Sequence, residues 1–209
     1  MLVRGKKTYI TKLKRPHIDK MQLWGTHRNP LFYCYTFPKM NREERNYWFG
    51  RKKDSLTRKS FAIFNEDDVL IGYISLRDIN WLRRSSELGI VFDPKYMNKG
   101  YGTDALKSFI YYYFKTLKMK QLKLRVAEFN IRAQRCYENC GFATKESVYE
   151  NFEDQSLPVF ENDNLKEYQR FFKKSDDMLQ CNYIHMYITK GMFIDNLKCY
   201  PHYPPNTCA

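Results

Sequence analysis

The chain has 209 residues, a formal net charge of +13 and 17% aromatic residues. That length supports one domain with a sizeable core, and no apolar run approaches the roughly 20 residues that span a bilayer. The six cysteines include no CxxC and the four histidines no cluster at ligand spacing, so neither a disulfide framework nor a metal site is expected. The basic start lacks an apolar core segment, which argues against a secretory signal and for reduced thiols in a cytoplasmic setting; a transit peptide stays open. The positive field would attract phosphates, acidic proteins or RNA, or it is a solvated basic surface with part of its charge serving a polyanionic cofactor.

Residues 7–13 alternate as an edge strand, and 17–24 begin a helix on Ile18, Met21 and Leu23. Pro30 and Pro38 bracket an irregular stretch at 31–37. Residues 41–50 read as a second helix, with Asn41 as N-cap, Glu43 and Glu44 in its first turn, and Gly50 at its end. Runs 60–64 and 69–76 form a hairpin about the polar turn Asn65-Glu66-Asp67-Asp68. Residues 78–84 then turn into a third strand at 86–92.

That strand opens the stretch around which the chain is organised. It reads Glu87-Leu88-Gly89-Ile90-Val91-Phe92 and stops at Pro94, which has no N–H for a ladder. The loop Met97-Asn98-Lys99-Gly100-Tyr101-Gly102-Thr103 follows, and Ala105, Leu106, Phe109, Ile110, Tyr113, Phe114 and Leu117 then recur at helical spacing. Strand, glycine loop and helix start together point to a phosphate cradle, because the first amides of a helix have no internal partner. Gly100-x-Gly102-x-x-Ala105 also fits a loose dinucleotide fingerprint, with Glu128 near the spacing of a ribose-binding acid. Against that stand the long 93–99 connection and the hairpins that precede it. A third reading is that the glycines only separate two elements.

Downstream, 121–126 alternates as a strand with one buried face. Asn130 caps a helix over 131–139, which Gly141 closes. Strands follow at 141–152 and 183–189. Between them, 153–182 is a long insertion holding an expected helix at 164–174. Residues 191–209 read as a mobile or surface-wrapping tail, which leaves 1–190 as a single domain.

The string Asn130-x-x-Ala133-x-x-x-Tyr137-x-x-x-Gly141-Phe142, after the Glu87–Phe92 strand and the glycine loop, resembles the GNAT superfamily of acetyl-CoA-dependent N-acyltransferases. Within it, the resemblance is to the branch of ribosomal-protein-alanine and spermidine acetyltransferases. It implies an α/β (α+β) fold: a mixed, mainly antiparallel sheet with helices on both faces, splayed at the acyl-CoA site. Met97 departs from the family's leading polar residue in the loop.

The resemblance also implies roles. Coenzyme A would lie along Met97 and Asn98, with its diphosphate on Lys99, Gly100, Tyr101, Gly102 and Thr103. Its pantetheine arm would pair beside Ile90, Val91 and Phe92, and the last helix would add Asn130, Ala133 and Tyr137. Glu87 is the candidate base, directly or through water, or else an exposed charge at a strand start. Tyr137 is the candidate acid, or else a packing tyrosine. The acceptor is an amine: a protein N-terminus, a polyamine or another small amine. Few carboxylates (Glu87, Glu128, Asp78) are available to line an acid pocket, and Phe32, Tyr33, Tyr35 and Phe37 either line it or pack the core. Segment 153–182 covers the acceptor side or forms a homodimer contact. The rival class is a non-catalytic basic RNA- or ribosome-associated module on the same fold. No membrane partner is expected.

Overall fold

The strands are β1 (Leu2–Arg4), β2 (Thr8–Lys12), β3 (Lys59–Asn65), β4 (Leu70–Asn80), β5 (Ser85–Phe92), β6 (Gln121–Ala127), β7 (Ala143–Asn151), β8 (Phe172–Ser175) and β9 (Met178–Thr189). The structure, a computed structural model, describes residues 2–199. The strands join into one sheet in the order β1-β2-β3-β4-β5-β6-β9-β7, with β8 also on β9. Every pairing is antiparallel except β5 with β6.

That parallel pair decides the architecture. It pairs Ser85, Ser86 and Glu87 with Gln121, Leu122 and Lys123, and beyond Glu87 the two strands part. Helix α3 (Tyr101–Lys115) pins the closed end of this fork. The Tyr113 hydroxyl meets Ser86 Oγ at 2.9 Å and donates to the Gln121 carbonyl at 2.7 Å, one contact on each strand. Because side chains alternate across a strand, the fork opens onto both faces of the sheet.

On one face lie α3, α4 (Ile131–Glu138) and α5 (Lys190–Cys199). Their apolar residues join Leu88, Leu122, Leu124 and Val126 in the largest core cluster. On the other face lie α1 (Arg15–Met21) and α2 (Arg42–Lys52), packed on Ala62, Phe64 and Tyr73. Beside them a 3-10 turn (Pro30–Tyr35) and the insertion share a third cluster, in which Leu31, Phe129, Phe152, Val159, Leu165 and Phe172 are buried. The insertion therefore packs beside the open end of the fork. Among the described residues, no helix is long and apolar enough to cross a membrane.

Several elements differ from the sequence reading. The first expected strand is β2, and it is not an edge, because β1 pairs outside it. The β1–β2 turn is held from afar: Asp104 of α3 accepts from the amides of Lys6 and Lys7 and from Thr8 Oγ1. The first helix starts earlier, at Arg15, with Pro16 in its first turn, where a missing N–H costs nothing. Asn41 does cap α2, but the helix runs through Gly50 to Lys52. A Cβ on Gly50 would meet nothing within 4 Å, so this glycine faces open space and need not end the helix. The strand before the 78–84 turn continues to Asn80 across a bulge in which Asp78 has φ of 51°.

The expected helix at 164–174 is a 3-10 segment (Asp163–Phe171) followed by β8. Leu165, Tyr168 and Phe171 recur every third residue, the 3-10 period, and all three contribute to the third cluster. The strand expected at 183 begins at Met178. The expected tail starts as α5, because Phe193 is buried against Phe114 and Tyr111 of α3, with ring centroids 5.2 and 6.1 Å away. The rest of that expectation lies outside the described residues.

Candidate active site

The fork widens into a cleft of about 770 Å³, within the range typical of small-molecule sites. It is lined from both sheet faces, so the cleft passes through the sheet.

Its first half is built from main chain. Asp93 caps a short 3-10 turn by accepting from the Lys95 amide, and it ties the loop to Gly25 by accepting from that amide. Asn98 and Gly100 then turn in the left-handed region, with φ of 61° and 83°. Gly100 is the N-cap of α3, and no side chain caps this helix. The leading amides of α3 are thus left for a ligand, at the positive end of the helix dipole. Gly102 supplies space: a Cβ there would already touch Cys136 Sγ at 3.5 Å and Phe92 at 3.7 Å. These features fit a diphosphate. The Lys7 ammonium stands near the same loop, donating to the Lys99 carbonyl at 3.3 Å. Sequence reasoning missed Lys7, which only the long-range Asp104 contacts bring there.

Helix α4 forms the adjoining wall. Asn130 is 7% exposed and caps it by accepting from the Ala133 amide at 3.2 Å. Gly141 ends the turn with φ of 90°. Ala133, Cys136 and Tyr137 face the cleft, with Arg132 and Arg135 beside them. Cys136 Sγ lies 3.4 Å from Thr103 Oγ1, which ties α4 to the start of α3. Burial pushes the Tyr137 phenol well above its usual range, with Cys136 and Cys140 adding to the effect. A phenol so placed stays protonated and can donate.

Of the residues singled out from sequence, Ile90, Val91, Phe92, Met97, Asn98, Gly100, Gly102, Thr103, Asn130, Ala133 and Tyr137 line this one cleft. Lys99 and Tyr101 contribute differently. The Lys99 ammonium lies over the Tyr96 ring at 5.3 Å, and the Tyr101 hydroxyl donates to Glu66, so neither side chain lines the cleft. Glu87 is also not in the cleft wall. It pairs with Arg77 and lines an adjoining cavity of about 390 Å³ with Asp78, Lys123, Leu124, Arg125, Glu150 and His185. Arg77 and Arg125 border both spaces. Glu128 accepts from Asn182 Nδ2 at 2.7 Å.

The second half of the cleft is built from side chains that sequence reading largely missed. Of the aromatics expected there, Tyr35 lines it, whereas Phe37 is core and Tyr33 is exposed. His27, Lys52, Tyr73, Ser75, Arg77, Arg125, Glu153 and Tyr183 complete it. Arg125 organises one side: its guanidinium reaches Glu150 and Glu153 and lies 4.6 Å over the Tyr183 ring. Tyr183 donates to Glu153, and His185 meets Glu150. Burial holds His27 below its usual range, assisted by Arg132.

The comparisons agree with this geometry. Residues 9–143, more than half of the chain, match the family model described as an acetyltransferase (GNAT) domain. A spermidine N(1)-acetyltransferase of Vibrio cholerae serotype O1 is 25% identical over 143 residues, which is 68% of this chain and 83% of that protein. An N-acetyltransferase of Bacillus subtilis, YnaD, is 27% identical over 99 residues, 47% of this chain and 58% of its own. The crystal structure of Vibrio cholerae spermidine N-acetyltransferase in complex with CoA and spermine superposes with a TM-score of 0.67 at 21% identity, covering 90% of this chain and 98% of that one. The splayed, mainly antiparallel sheet is the fold of these neighbours. The chain belongs to the GNAT acetyltransferase family and is an acyl-CoA-dependent enzyme.

Proposed function

We propose that this chain moves the acetyl group of acetyl-CoA to a primary amine: a polyamine, a protein N-terminus or another small amine. The observation that carries the reading is the fork itself. It joins the uncapped start of α3 on one face to a polar chamber on the other, with Tyr137 on its wall. The spermidine acetyltransferase of Vibrio cholerae supports an amine acceptor.

The amides of residues 100–103 hold the diphosphate, with the Lys7 and Lys99 charges close by. Residues 90–92 offer strand backbone with no β6 partner, where an extended arm can pair. When bound, acetyl-CoA supplies an activated thioester. In the transfer a C–N bond forms and the C–S bond breaks. The attacking nitrogen must give up a proton, because a free alkylamine has a pKa of about 10. Glu87 takes it through water from the adjoining cavity, standing at the last paired position of the fork on the acceptor face. Tyr137 gives its proton to the departing thiolate, whose pKa is about 8.5 by analogy with cysteine. One amide of residues 90–92 polarises the carbonyl. Asn130 and Ala133 hold α4 and the tyrosine in place.

Thiol release from acetyl-CoA across an amine panel tests the proposal. Amine-dependent release supports it. No release with any amine, together with tight salt-sensitive RNA binding, would favour the non-catalytic module instead.

A further inference from the structure

We infer that the amine accepted by this site carries a carboxylate, held by Lys52 and Arg77. The inference rests on the acetyl-transfer reading above and narrows its substrate class.

The acceptor half of the cleft is lined by three cationic side chains, Lys52, Arg77 and Arg125, and by one carboxylate, Glu153. Glu153 is already engaged, by Arg125 at 3.2 Å and by the Tyr183 hydroxyl. Arg125 is likewise committed, to Glu150 and Glu153. The other two cations are not spent. Arg77 gives one terminal nitrogen to Glu87, yet its Nε is buried with no acceptor. The side chain as a whole is 39% exposed, so its remaining guanidinium donors are open to a ligand oxygen.

Lys52 is held by rings instead of an acid. Its ammonium lies 5.3 Å over Trp48 and 5.8 Å over Tyr73, and among the described residues it pairs with no carboxylate. Burial, with Arg58, Arg77 and Arg51 nearby, lowers its pKa, the mark of a cation short of negative charge. A polyamine would bring further positive charge against this wall. A carboxylate would answer both the ammonium and the unspent guanidinium donors with charge-assisted hydrogen bonds.

The test measures kcat/KM for matched amines. Glycine, 5-aminopentanoate and glutamate are compared with methylamine, cadaverine and spermidine. A tetrapeptide with aspartate in its second position is compared with its lysine counterpart. The best carboxylate-bearing amine is expected to exceed its match at least tenfold, and the peptide pair tells a free acid from a peptide source. Lys52→Glu is expected to invert that preference, whereas Lys52→Arg keeps it; a thermal shift with CoA verifies that each variant is folded. Spermidine or cadaverine winning in the native protein, or Lys52→Glu leaving the ranking unchanged, would overturn the inference while acetyl transfer stands. No thiol release with any amine would overturn the acetyl-transfer reading, and this one with it.

Discussion

The two halves of the cleft are made of different material. The half on the α3 side is main chain: a left-handed Gly100, uncapped first-turn amides, and the free β5 backbone beyond Glu87. The opposite half is side chain: Tyr35, Lys52, Arg77, Arg125, Glu153 and Tyr183, drawn from six separate parts of the sequence. Main-chain groups are common to all residues, so such a site depends on backbone conformation and tolerates variation in side chains. The charged chamber has the reverse dependence. One half can therefore stay fixed across a family while the other is rebuilt for a new acceptor.

The largest effect is expected at Tyr137, on the wall between the halves. Tyr137 lines the same cleft as Tyr35 of the acceptor half. Tyr137→Phe should lower kcat by at least ~10²-fold, a typical size for a lost acid, with CoA affinity nearly intact. Weakened CoA binding with unchanged turnover at saturation would assign the tyrosine to packing. Because burial raises the Tyr137 pKa, the phenol keeps its proton through the usual range of about 10. The pH profile of kcat at saturating substrate should thus rise as the amine deprotonates, with no falling limb from Tyr137 below about pH 10.

Next in size is a change that strikes the main-chain half alone. Gly100→Val puts a β-branched residue at φ of 83°, a strain of roughly 1–3 kcal/mol. Relief of that strain would reorient the first amides of α3. The KM for acetyl-CoA should rise about tenfold, equivalent to ~1.4 kcal/mol, while the amine KM holds. The mirror experiment is Arg125→Met, which takes the cation from Glu150 and Glu153 and leaves them His185 and Tyr183 as partners. With Arg125 about a quarter exposed, solvent screening limits the cost to ~1–2 kcal/mol and a few degrees in Tm. Here the amine KM should move and the acetyl-CoA KM should not. If both variants shifted both constants, the division into two halves would fail. The smallest change is Asn130→Ala, which removes a cap worth about 1 kcal/mol, read as a modest fall in Tm.

This division also explains what could be read in the residues. Gly100, Gly102, Asn130 and Gly141 each satisfy a local backbone need, so their positions announce the loop, the cap and the helix end. Period-two runs at β2 and β6 similarly disclose strands with one buried face. The chamber has no such signature. Lys52 reads as the end of a solvated helix until Trp48 and Tyr73 are seen beneath it, and Arg125 as an outward residue of an alternating strand. Their meeting depends on sheet order, which places β9 between β6 and β7 and brings Tyr183 and Glu153 to the fork. Element ends failed for the same reason. Gly50 sits in open space and β1 is fastened by Asp104, a residue far along the chain. The 3-10 segment is an exception: its threefold apolar spacing was there to be read.

The most direct measurement is a crystal structure of the protein with CoA. The account predicts the diphosphate against the first amides of α3, the arm along residues 90–92, and the sulfur within the fork near Tyr137. A diphosphate bound elsewhere, or an arm that avoids the gap between β5 and β6, would contradict it.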